Sequence, residues 1–202
     1  MNKQRLEAFS DGIIAIIITV MVLELHLPRG TDWAAFRPVI PSLLTYVLSF
    51  VFVAIYWNNH HHLFQAVRVV NGTILWANLH LLFWLSLIPF VTSWMGGSDL
   101  APGPVTAYGA VLLLAAIAYY VLTRALIGLH GQDSPLARAL GKDVKGKVSV
   151  VLYVLALPLG PVWPRVACAI YVAVAVIWLV PDRRIEVALA DGHTHRAQPL
   201  GD

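Results

Sequence analysis

Residues 5–25 read RLEAFSDGIIAIIITVMVLEL, from Arg5 to Leu25, and this stretch decides what kind of protein the chain makes. Its central part, GIIAIIITVMVL from Gly12 to Leu23, is apolar except for Thr19 and does not alternate with polar residues. A membrane barrel strand alternates; a continuous run of this length, from about Leu6 to Leu27, predicts a membrane-spanning helix. In hydrocarbon every backbone N–H and C=O must be paired internally, and a helix does this within one segment.

Working outward, similar runs recur along the 202 residues. Further spans are predicted at Ile40–Phe64, Thr73–Trp94, Val105–Leu126, Val148–Trp163 and Val166–Val180, the fifth starting a few residues before Val148. The breakers LPRGTD, MGGSDLAPGP and LGPVWP fall between spans, and Pro89 and Pro158 predict kinks within them. Hydrophobic residues make up 58% and charged residues 12% of the chain, with mean hydropathy +0.72. A soluble domain is about one quarter charged. The fold class is therefore all-α: a polytopic membrane protein of six helices over residues 1–185, with a short polar tail over 186–202 and no separate soluble domain.

Charge sets the expected orientation. Lys3, Arg5, Arg68, Arg124, Arg138, Lys142, Lys145, Lys147, Arg183, Arg184 and Arg196 fall on one side of six spans, and only Arg29, Arg37 and Arg165 on the other. The positive-inside rule then puts both termini in the cytoplasm of a cell-membrane protein. Trp33, Trp57, Trp94, Trp163 and Trp178 lie near span ends, as interfacial aromatics do. No basic patch on a folded surface points to nucleic acid, and Cys168 alone excludes an intrachain disulfide. Asp11 and Gly12 interrupt the start and no small-residue cleavage site follows, so the first segment is expected to remain as a span.

The polar residues inside the spans carry the functional reading. Asp11 lies at least a turn inside the first span, where an unpaired carboxylate costs several kcal/mol. It either caps the helix at the interface or enters a polar network with another helix. Gly12, Ile16, Thr19 and Leu23 follow spacings of four, three and four and share one helix face. That face could line a narrow pore, with bulky aliphatics as a constriction and a hydroxyl for a dehydrating cation, although spacing alone favours ordinary helix packing. In YWNNHHHLF, Tyr56 to Phe64, three successive histidines turn by about 100° each, so His60, His61 and His62 do not converge on one ion. One of them oriented toward Asp11 is the better expectation. Asn78 and His80 begin the third span, where a core hydrogen bond is expected of at least one. No phosphate loop, nucleophile elbow, zinc-protease motif or paired CxxC appears, so no enzyme is expected.

The motif R-x-x-x-F-S-D-G, complete here as Arg5, Phe9, Ser10, Asp11 and Gly12, resembles the signature of the prokaryotic TMEM175 family of potassium-permeable channels. YWNNHHHLF resembles that family's second-span motif and WLVPDRRIE its sixth, so the likeness covers essentially the whole chain. The resemblance implies a homotetramer in the lipid bilayer, around a central pore lined by the first helix of each subunit and lacking a TVGYG-type filter. It implies Ile16 as the narrowest constriction, Thr19 as a hydroxyl layer and Leu23 as a continuation of the face begun at Gly12. Potassium ions would pass near Ile16 and Thr19, with no cofactor. Arg5, Phe9, Ser10, Asp11, Trp57 and one or more of His60, His61 and His80 would brace the helix. Family members often carry Leu at the constriction; Ile16 adds a branch at Cβ and a stiffer side chain.

The function expected is passive, potassium-permeable cation conduction. Two other classes stand beside it: a proton-coupled secondary transporter using Asp11 and a histidine, and a non-transporting structural membrane protein. The transporter reading calls for two related halves with broken helices, and none is evident in the sequence.

Overall fold

A computed structural model describes residues 2–134, 136–137 and 143–179, and the regular structure among them is helical. Helix α1 (Lys3–Leu23) starts where the Asn2 side chain accepts the Gln4 N–H at 2.9 Å. A short α2 (Trp33–Phe36), capped by Asp32, and a 3-10 turn (Arg37–Val39) lead directly into α3 (Ile40–Gln65). Asn71 caps α4 (Gly72–Ser86) by accepting the Ile74 N–H at 3.0 Å. Then follow α5 (Ile88–Gly97), α6 (Pro102–His130), α7 (Val144–Leu159) and α8 (Pro164–Leu179).

All six expected spans are helical, with three adjustments. The third is broken at Leu87 into α4 and α5, because Pro89 offers no N–H to the preceding turn. The first ends at Leu23 rather than Leu27, ahead of Pro28, and the fifth ends at Leu159 rather than Trp163, ahead of Gly160 and Pro161. Pro158 sits one residue before the end of α7 and leaves that helix unbroken. The helical turns over Trp33–Val39 lie where only a connection was expected. Val180, the tail 186–202 and Arg138, Lys142, Arg183, Arg184 and Arg196 of the charge count lie outside the described residues.

Among the described residues four stretches are long and apolar enough to cross a membrane: Lys3–Leu23, Trp33–Gln65, Gly72–Gly97 and Pro102–His130. Helices α7 and α8, of 16 residues each, reach about 24 Å and so form the short pair of the bundle. Helix α6 is central and packs on α4, α5, α7 and α8. Helix α3 packs against α1, α5 and α8. Close approaches depend on missing side chains: a Cβ on Gly96 of α5 would lie 2.7 Å from the Cα of Ser42 on α3. Three buried hydroxyls are paired in a chain that joins α6, α3 and α5. Tyr108 and Ser49 share a 2.9 Å bond, Ser49 and Thr92 share one of 2.6 Å, and the Thr92 hydroxyl donates its proton to the Ile88 carbonyl at 2.7 Å. Such pairing is required where no water is available.

Candidate pore helix and its brace

Helix α1 has two faces with different fates. Leu6, Ser10, Ile14, Ile17 and Met21, at spacings of four, four, three and four, are buried against α3, α4 and α5. Gly12, Ile16, Thr19 and Leu23 all lie on the opposite, exposed side of the helix. Ile16 is 61% and Leu23 81% exposed, which no residue of an ordinarily packed interior face would be. The Thr19 hydroxyl donates to the Ile16 carbonyl at 2.8 Å, leaving its oxygen lone pairs outward. The constriction candidate and the hydroxyl candidate are thus joined by one hydrogen bond on one open face.

The buried face is held by a polar chain through three helices. Ser10 Oγ donates to the Leu6 carbonyl at 2.9 Å and accepts from Asn78 Nδ2 at 2.9 Å. Asn78 Oδ1 accepts from His60 Nε2 at 2.8 Å, which puts the proton of His60 on that nitrogen. Ser10, Asn78 and His60 are all buried, so each partner satisfies a group that water cannot reach. Nearer the surface, Trp57 Nε1 donates to Asp11 Oδ1 at 3.0 Å. His61 stacks on Trp57, with ring centroids 5.8 Å apart and planes at 19°, and shares a 2.8 Å bond with Gln65. Lys3 pairs with Glu7 at 3.8 Å and donates to the Val67 carbonyl at 2.9 Å, tying the start of α1 to the end of α3.

The structure brings Ser10, Asp11, Trp57, His60 and His61 together and leaves three expected members apart. Arg5 is exposed and makes no side-chain hydrogen bond or ion pair among the described residues. Phe9 projects from the open side of α1. His80 accepts from Trp84 Nε1 at 3.0 Å on its own helix and does not reach α1. The reason is angular: His80 lies two residues, about 200° of helix, beyond Asn78, so only one of them can face α1. Asn78 is the residue missing from the expected brace. A lone amide in an apolar run was the available signal, and the flanking His80 shared it.

At the other end of α1, Ser93 of α5 donates to Glu24 Oε2 at 3.2 Å. Between these helices runs an open groove, lined by Ile13, Ile17, Val20, Pro89, Phe90 and Trp94 among others. Among the described residues no three His, Cys, Asp or Glu side chains come close enough to hold a metal ion.

Fold and site together define a class: an α-helical membrane protein in which one span, pinned on one side by buried hydrogen bonds, turns an aliphatic and hydroxyl face out of its own helix bundle. The family model described as endosomal/lysosomal potassium channel TMEM175 matches residues 5–89. A potassium channel of Chryseobacterium sp. is 52% identical over 191 residues, covering 95% of this chain and 100% of that protein. The endosomal/lysosomal proton channel TMEM175 of Danio rerio is 30% identical over 139 residues, covering 66% of this chain and 26% of that one. The crystal structure of a lysosomal potassium-selective channel TMEM175 homolog from Chamaesiphon minutus superposes with a TM-score of 0.74 at 25% identity, covering 89% of this chain and 97% of that one. The chain belongs to the TMEM175 family.

Proposed function

We propose that this protein is a potassium-permeable cation channel that conducts passively through a central pore lined by α1 from four copies. The observation that carries the reading is the open face of α1, with Ile16, Thr19 and Leu23 exposed on a helix whose other side is buried and hydrogen-bonded. Four such faces turned inward give a ring of Ile16 that excludes water and a ring of Thr19 beside it that offers oxygen to an ion shedding hydration. Gly12 widens the same face toward the start of the helix. Asp11, Trp57, Ser10, His60 and His61 act as the brace that holds α1 at a fixed rotation. The apolar groove between α1 and α5 supports assembly, since Phe90 and Trp94 stay exposed on an isolated subunit and a neighbouring α1 would cover them. The protein resides in the cell membrane with both termini cytoplasmic, and its reaction is conduction, with no bond made or broken.

The test is ion flux into liposomes holding the purified full-length protein, under a potassium gradient and separately under a proton gradient. Potassium flux is expected, rising or losing selectivity when Ile16→Asn replaces the aliphatic ring with a polar one. Absence of flux in both proteins would sink the reading. Saturable potassium uptake obligately coupled to protons would favour the transporter reading instead.

A further inference from the structure

A second feature lies away from α1. Helices α3, α6, α7 and α8 enclose a cavity of about 390 Å³, within the size range of small-molecule and lipid-tail sites. Its walls are almost wholly apolar and aromatic, including Phe52, Tyr56, Tyr153 and Trp178. Its rim residues Ile117, Tyr120 and Val151 are exposed on the outside of the bundle, so the cavity opens sideways rather than toward α1. From Asp143 to Tyr153, which also lines the cavity, is about 15 Å of helix, and half a hydrocarbon core is about 15 Å, so the cavity spans about one leaflet's depth.

Charge is confined to one end. Asp143 and Lys147, one turn apart at the start of α7, both line the cavity there. Neither joins the other in an ion pair, and Lys147 has no carboxylate within pairing distance among the described residues. Asp143 Oδ1 caps α7 by accepting the Gly146 N–H at 3.0 Å, which leaves Oδ2 available. A lysine alone would favour an anionic headgroup. An adjacent carboxylate shifts the match to a headgroup that carries both signs. We propose that the cavity holds one acyl chain of a zwitterionic aminophospholipid from the leaflet at the start of α7, with its phosphate on Lys147 and its ammonium on Asp143.

The experiment is native mass spectrometry of the full-length protein in mild detergent, with equimolar phosphatidylethanolamine and phosphatidylglycerol of identical chains. The wild type is expected to retain phosphatidylethanolamine, about one per subunit, in preference to phosphatidylglycerol by roughly tenfold, the size of effect one good charged contact produces. Ala116→Phe fills the cavity and is expected to remove most of the retained lipid. Asp143→Asn keeps an equally good helix cap, so it is expected to abolish the headgroup preference while the melting temperature holds. Retention of phosphatidylglycerol equal to or above phosphatidylethanolamine, retention of detergent only, or an Asp143→Asn protein with the preference intact would each overturn the proposal.

Discussion

Asn78 has the most consequential position of any single side chain here. Its amide donates to Ser10 on α1 and accepts from His60 on α3, so one residue of α4 completes the hydrogen bonding of two other helices. Asn78→Leu would leave a buried imidazole without its partner, at a cost of about 1–3 kcal/mol. The expected result is a melting temperature several degrees lower in detergent and, for the proposed tetramer, easier dissociation. Trp57→Phe keeps the ring stacked near His61 but removes the donor to Asp11. Because Trp57 is 44% exposed, water replaces the lost partner and the thermal penalty is expected to stay below that of Asn78→Leu. A reversed order in the two melting curves would count against the buried chain as the main brace. Which histidine braces α1 was open in the sequence, since three in succession sample all sides of a helix. The structure separates them by burial: His60 is inside and bonded to Asn78, while His61 lies against Trp57 at the surface.

At the scale of elements, composition predicted the spans well because each must satisfy its own backbone. The break in the third span was likewise legible, since Pro89 removes a donor wherever it falls. The end of α1 was not, because apolar residues continue to Leu27 while the helix stops at Leu23. The contact between α5 and α3 was also hidden. Gly96 has neighbours in sequence that read as a loop, and only the packed pair shows how close the backbones come. Gly96→Val is expected to force α5 from α3 at a cost of about 1–3 kcal/mol, read as a lower melting temperature and faster proteolysis. Gly128→Val on α6, outside the α1–α5 groove and where a Cβ meets nothing within 4 Å, serves as the control and is expected to lower the melting temperature much less.

For the whole molecule, the proposed assembly makes a geometric prediction. Ile16→Cys places four thiols around one axis, and oxidation is expected to give dimer-sized bands on a non-reducing gel. Val176→Cys, exposed on α8, is expected to give none, because a disulfide needs Cβ atoms about 3.5–4.5 Å apart. Light scattering of the detergent-extracted protein should return the mass of four subunits; a monomer would undo the pore as proposed. What the chain determined by itself was the all-helical membrane class, the six apolar segments and the α1 motif, because these follow from local periodicity and from the need of each span to pair its own backbone. What only the tertiary structure decided was rotation: which side of α1 is buried, that His60 and Asn78 meet Ser10, and that His80 does not. Helix spacing fixes which residues share a face, but the side a face turns to is set by contacts among α1, α3 and α4, residues that lie far apart in sequence.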